Sequence, residues 1–164
     1  MIKKINILII TMFGIGNSRY APGTVASFVT CLVYIFFYTF EINIIFLVFF
    51  LTITFVYSVY VIDVLIKNFS EIDAKEIVID EFIGQSIPAL TIYAFLEKSN
   101  LSHFILYIMV SFILFRIFDI LKPYPINRID KNMKNGFGVI LDDIVAGIFS
   151  VIVLLILILL MNFV

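Results

Sequence analysis

Several stretches of this chain are apolar on every face. Ile44 to Phe50 and Val151 to Met161 have no position at which a strand or a surface helix could show a polar side chain to water. Such runs leave few folds open. In hydrocarbon every backbone N–H and C=O must be paired internally, so a chain of this kind crosses a bilayer either as helices or as a closed barrel. Barrel strands alternate polar and apolar residues, and these runs do not. The expected fold is an all-α, polytopic membrane helical bundle.

The apolar runs cover roughly residues 25–40, 42–62, 82–96, 101–121 and 144–164, which predicts about five transmembrane helices. A span needs about 20 residues at 1.5 Å rise, and the second, fourth and fifth runs meet that outright. The first and third are shorter and rely on flanking residues or a tilted partner. A hydrophobic content of 63% and a mean hydropathy of +1.16 lie far outside the soluble range. In 164 residues there is room for one helical unit, residues 1–164, and no second domain. The net charge of −1 leads to no expectation of a nucleic-acid partner. Cys31, the single cysteine, lies within an apolar run and is read as a small apolar residue.

Orientation follows from the basic residues. Assigning connections alternately to the two sides puts Lys3, Lys4, Arg19, Lys67, Lys75, Arg116, Lys122, Arg128, Lys131 and Lys134 with the N-terminus, and Lys98 opposite. By the positive-inside rule the N-terminus is cytoplasmic and the C-terminus, after five spans, is outside. Lys3, Lys4 and the run Ile5 to Phe13 also fit a secretory signal, with Ala26-Ser27 near a cleavage point. The run is short and leads into a Gly- and Pro-containing loop. It is therefore expected to lie along the cytoplasmic interface.

This topology brings three polar clusters to one face. The first, Gly14 to Thr24, includes Gly14, Gly16, Arg19 and Thr24. Its glycines and Pro-Gly-Thr turn suit an anion such as phosphate, but the signal is weak alone and a plain loop with Thr24 as a helix cap explains it better. In the second, Asp80 and Glu81 stand where a helix enters the membrane, with Gln85 one turn deeper. Neighbours on a helix point about 100° apart, so no more than one of the two acids is expected to aim fully at a shared interior point. The third runs from Arg116 through Asp119, Lys122 and Arg128 to Asp142 and Asp143. Arg116 and Asp119 are spaced for an intrahelical ion pair. Gly147 lies four residues beyond Asp143, and Ala146 four beyond Asp142, so another helix could approach closely there.

Together these clusters offer five carboxylates, Asp80, Glu81, Asp119, Asp142 and Asp143, beside Arg116, Lys122 and Arg128. Burying such groups at membrane depth is costly, which marks them as a polar site. Hard oxygen ligands without Cys or His favour Mg²⁺ over zinc, and basic groups would take phosphate oxygens. His103, the single histidine, is expected at the opposite interface and too far away to serve as a base.

Four segments carry a resemblance to a known family. They are Ala21-Pro22-Gly23-Thr24, Val78 to Gln85, Phe115 to Ile126 (with Arg116, Asp119, Lys122, Pro123 and Pro125), and Gly136 to Gly147 (with Asp142 and Asp143). The chain resembles the phosphatidylglycerophosphatase A family over nearly its whole length, although its loop between Gly16 and Pro22 is shorter than the family pattern. The resemblance implies Mg²⁺-dependent hydrolysis of phosphatidylglycerophosphate to phosphatidylglycerol and phosphate, at the cytoplasmic face of a bacterial inner membrane. On that basis Asp80, Glu81, Asp142 and Asp143 are the expected metal ligands. Arg116 and Lys122 would neutralise phosphoryl oxygens, and Asp119 would orient Arg116, bind metal or act as base. Gly14, Gly16, Arg19, Thr24 and Arg128 are the expected substrate contacts. A phospho-aspartate intermediate is an alternative to direct attack by water.

A small transporter or ion-pathway protein would also carry intramembrane carboxylates. It would need polar groups on both sides and through the midplane, whereas the outer turns here are nearly uncharged. A headgroup transferase would use related metal–phosphate chemistry, but the spaced aspartates of the alcohol phosphotransferases are absent from the sequence.

Overall fold

A computed structural model describes residues 2–68, 76–96 and 100–162. Among these residues all regular structure is helical: α1 (Ile2–Ile10), α2 (Pro22–Thr39), α3 (Ile44–Asn68), α4 (Ile79–Phe95), α5 (Leu101–Leu121), α6 (Ile126–Asn132) and α7 (Gly136–Asn162). Lys75, Glu97 and Lys98 lie outside the described residues, as do the side chains of Lys3 and Lys67.

Each expected apolar run falls on one helix, and α7 begins at Gly136, well before the expected 144. Four of them, α2, α3, α5 and α7, are long and apolar enough to cross a membrane. They show large apolar side chains outward, Ile45 at 74% exposure and Val56 at 61% among them, a surface suited to lipid and not to water. The chain is an all-helical membrane protein.

The run at 82–96 becomes α4, whose 17 residues rise only about 25 Å. It occupies the centre of the bundle, packed against α2, α3, α5 and α7. Its buried residues, from Ile79 and Phe82 through Gly84, Gln85 and Ala89 to Tyr93, cover every face. A helix surrounded by protein need not be as long as one surrounded by lipid. The expectation of about five spans thus resolves into four long helices around a short fifth.

Two small residues fix how closely α4 and α7 approach. A Cβ on Gly147 would overlap the carbonyl oxygen of Gly84, and a Cβ on Gly84 would come within 2.7 Å of the Asp143 carbonyl oxygen. The backbones therefore touch. Pro88, inside α4, has no N–H to donate to Gly84, so that carbonyl is free of its usual helical partner where α7 crosses it.

The two ends of the bundle differ. At one end Tyr38 donates a hydrogen bond to the Leu96 carbonyl (2.8 Å), Tyr93 donates to the Ile42 carbonyl (2.5 Å), and Tyr38 stacks on Phe104 at 3.9 Å. Exposed His103 lies at the start of α5, next to this aromatic end. At the other end α2, α4 and α7 begin and α5 finishes. There Asp63 of α3 accepts the Gly136 N–H at 2.6 Å, capping α7. α1 packs against α3, with Tyr57 donating to the Asn6 side-chain oxygen at 2.9 Å. Ile10 is wholly buried in a core with Val61, Ile62 and Val78, and its carbonyl accepts the Val78 N–H. The run Ile5 to Phe13 is thus tied to the bundle through Ile10, while Ile5, Leu8 and Phe13 stay exposed.

The backbone contact gives a direct test. Gly147→Ala is expected to destabilise the protein by about 1–3 kcal/mol, because a methyl group must displace the α4 backbone. Ile148→Ala, on the outer face, should change stability by no more than about 0.5 kcal/mol. Thermal unfolding in detergent measures both, and an unchanged midpoint for Gly147→Ala would refute the contact.

Candidate metal and phosphate site

The site grows out of the α4–α7 crossing. Asp80 and Glu81 precede Gly84 by four and three residues, and Asp143 precedes Gly147 by four, so backbone contact one turn deeper brings these acids together. Asp80, Glu81 and Asp143 each offer an oxygen, and the three oxygens lie within 4.8 Å of one another. Asp80 and Glu81, neighbours about 100° apart on the helix, each bring one oxygen to this group. Both stand in the first turn of α4, where the longer Glu81 side chain can reach across to its neighbour's side.

Glu81 is also fixed from α2. Gly23 leaves no room for a side chain, since a Cβ there would overlap Glu81 Oε1. The Ala21-Pro22-Gly23-Thr24 turn therefore seats this carboxylate, and its glycine serves close approach.

These acids line one cavity of about 350 Å³ together with Asp119, Lys122, Asp130 and Asp142. Asp119 of α5 is near enough to Asp143 and Glu81 for their charges to repel. Its Oδ2 accepts from Arg116 Nη1 at 2.6 Å, the ion pair expected from their spacing. Arg116 also reaches Ser27 on α2 at 3.4 Å.

Lys122 lines the same cavity and is held there by two acids. Its Nζ lies 2.8 Å from Asp130 Oδ1 and 2.8 Å from Asp142 Oδ2, clamping the α5–α6 turn and α6 to α7. Partial burial works against its charge, but the two carboxylates outweigh this and hold its pKa above the ordinary lysine value. The hydrogen bond from Lys122 holds the Asp130 carboxyl below the usual carboxylate range. Asp130 is a site residue that the sequence reading missed. Its only signal was an acid in the same connection as Lys122, beyond a Pro-Tyr-Pro turn that folds the chain back.

Other expected substrate residues stand elsewhere. Gly14, Gly16, Arg19, Thr24 and Arg128 do not line the cavity. The amides of Gly14 and Gly16 both donate to the Thr11 carbonyl, and Gly16 is buried against the Glu76 backbone, so neither is free for a phosphate. Arg19 and Arg128 are exposed. Thr24 lies with Arg116 in a separate groove between α2 and α5.

Three carboxylate oxygens in the site, Glu81 Oε2, Asp142 Oδ1 and Asp143 Oδ2, are buried and have no hydrogen-bond partner among the described residues. Buried acceptors without donors cost stability, and clustered acids shielded from water repel. One hard divalent cation among Asp80, Glu81 and Asp143 would answer both, and an all-oxygen donor set suits Mg²⁺. Asp142 is held by Lys122 through one oxygen and has the other unpartnered, at the edge of this group.

The chain is similar to several known proteins. The family model described as phosphatidylglycerophosphatase A matches residues 8–158. A Haemophilus influenzae protein named phosphatidylglycerophosphatase A is 33% identical over 157 residues, covering 93% of this chain and 91% of the relative. A Bacteroides thetaiotaomicron protein, provisionally named a phosphatidylinositol-3-phosphatase, is 32% identical over 158 residues, covering 90% of each chain. The Escherichia coli phosphatidylglycerophosphatase A is 37% identical over 84 residues, 51% of this chain and 44% of that protein. No solved structure matches the chain.

The Lys122 clamp has a pH signature. Asp130 is depressed when folded, so its contribution to stability is complete above the ordinary carboxylate value of about 3.9 and is lost as pH falls through its lower folded value. The stability difference between wild type and Asp130→Asn should be largest near neutrality and disappear in acid. Paired thermal melts at pH 7 and at pH 3 check this, and a pH-independent difference would contradict it.

Proposed function

The chain belongs to the phosphatidylglycerophosphatase A family, and from that premise we propose that it hydrolyses the terminal phosphomonoester of phosphatidylglycerophosphate, giving phosphatidylglycerol and phosphate, with Mg²⁺ as cofactor. The observation that carries the reading is the convergence of Asp80, Glu81 and Asp143, with unpartnered buried oxygens, at one end of a membrane bundle. Acyl chains anchored in the bilayer would leave a headgroup phosphate at about that level.

In this reading Asp80, Glu81 and Asp143 hold the ion. Bound there, Mg²⁺ would supply positive charge to the phosphate oxygens and acidify an attacking water. Asp119, held by Arg116, is oriented to accept a proton. Asp142 and Lys122 form the opposite wall, where the ammonium adds positive charge beside the cavity. The surrounding helices limit water access, which strengthens each of these charges. The excess of basic residues on the N-terminal side supports a cytoplasmic site in a bacterial inner membrane.

Purified protein in detergent with Mg²⁺ should release phosphate from phosphatidylglycerophosphate, and EDTA should stop it. Asp143→Asn and Glu81→Gln should each lower turnover by roughly 100-fold or more while the protein stays folded. A phosphatidylinositol bearing a 3-phosphate is the informative second substrate, given the Bacteroides relative. No release from either lipid, with active controls, would refute the reading.

A further inference from the structure

A second cavity lies directly behind the Arg116–Asp119 pair. It is an open groove of about 400 Å³ on the outer face of the bundle, bounded by Thr24 at the start of α2 and by one continuous stripe of α5. Phe112, Ile113, Arg116, Ile117 and Ile120 recur along that stripe at helical spacing. Ile113, at 57% exposure, and Ile117, at 43%, are open to the outside. Arg116 is the single charged residue of the groove, and its partner Asp119 lines the carboxylate cavity. The pair therefore forms the partition between an apolar trough and the candidate metal site.

We propose that this groove binds the diacylglycerol end of the phospholipid substrate, with Arg116 meeting the phosphodiester that joins it to the headgroup. The inference rests on the function proposed above and adds where the lipid lies. A lipid phosphomonoester of this class carries two phosphates. The one to be hydrolysed needs the carboxylate cavity, and the one that stays with the product needs a cation outside it. Arg116 provides that cation, because a guanidinium already paired with Asp119 still has donors for a second anion. Below it, Phe112 and Ile113 continue the trough toward the bilayer interior, where acyl chains gain contact with apolar side chains. The names of two relatives differ in headgroup and share the phosphatidyl part, the part this groove would read.

A rival cavity of about 460 Å³ lies among α1, α2, α3 and α4 and includes Phe50, Ile53 and Tyr57. It has no charged residue to meet a phosphate. It therefore serves as the control.

A phosphatidylglycerophosphate with a diazirine in one acyl chain, photolysed on the purified protein and mapped by peptide mass spectrometry, locates the chain. Cross-links are expected on Phe112, Ile113 and Ile117 and on the first turns of α2. In parallel, Ile113→Trp and Ile117→Trp should reduce kcat/KM for a dioleoyl substrate about tenfold, mainly through KM, and less for a dihexanoyl one. Ile53→Trp should leave both unchanged. Phosphate release together with cross-links at Ile53 and Tyr57, or spread evenly around the outer faces, would overturn this inference and leave the proposed function standing. Absence of phosphate release from every lipid would overturn both.

Discussion

The contact between Gly84 of α4 and Gly147 of α7 is the constraint on which the rest of the structure depends. Two helices whose backbones touch bring together whatever their next turns carry, and here those turns carry Asp80, Glu81 and Asp143. In a membrane no hydrophobic force holds helices together against lipid, so close packing at small residues has to supply the association. Pro88 removes the usual helical donor to the Gly84 carbonyl at the crossing. A bulkier residue at either glycine would separate the helices and with them the acids.

Holding acids together in this way is electrostatically unfavourable, and the surroundings balance it only in part. Arg116 is paired with Asp119, and Lys122 is shared between Asp130 and Asp142. Asp80, Glu81 and Asp143 have no basic side chain bound to them among the described residues, although each is at least partly buried. Among the described residues, the imbalance lies where three ligand oxygens converge. That is the physical argument for a cation, and it stands apart from the family relationship.

Much of this was legible in the sequence. The apolar runs foretold the helices, and the acids at the ends of those runs foretold the cluster of carboxylates. The spacing of Asp143 from Gly147 announced a close helix approach, and the spacing of Arg116 from Asp119 announced their ion pair. What escaped depended on contacts between distant elements. Gly14 and Gly16 stayed among the expected substrate contacts because composition does not show that their amides already bond to Thr11. Asp130 escaped because the Pro-Tyr-Pro turn that returns it to Lys122 is a three-dimensional event. Gly23 read as part of a turn, whereas its lack of a side chain makes room for Glu81.

The central claim is that Asp80, Glu81 and Asp143 form a divalent-cation site built by the α4–α7 crossing. Electron paramagnetic resonance with Mn²⁺ as a stand-in for Mg²⁺ tests it on the purified protein, independently of any lipid. The account predicts saturable binding of Mn²⁺ that Mg²⁺ displaces and that Asp143→Asn and Glu81→Gln each weaken by at least an order of magnitude. Equal Mn²⁺ binding by wild type and both variants, each folded by thermal melt, would contradict it.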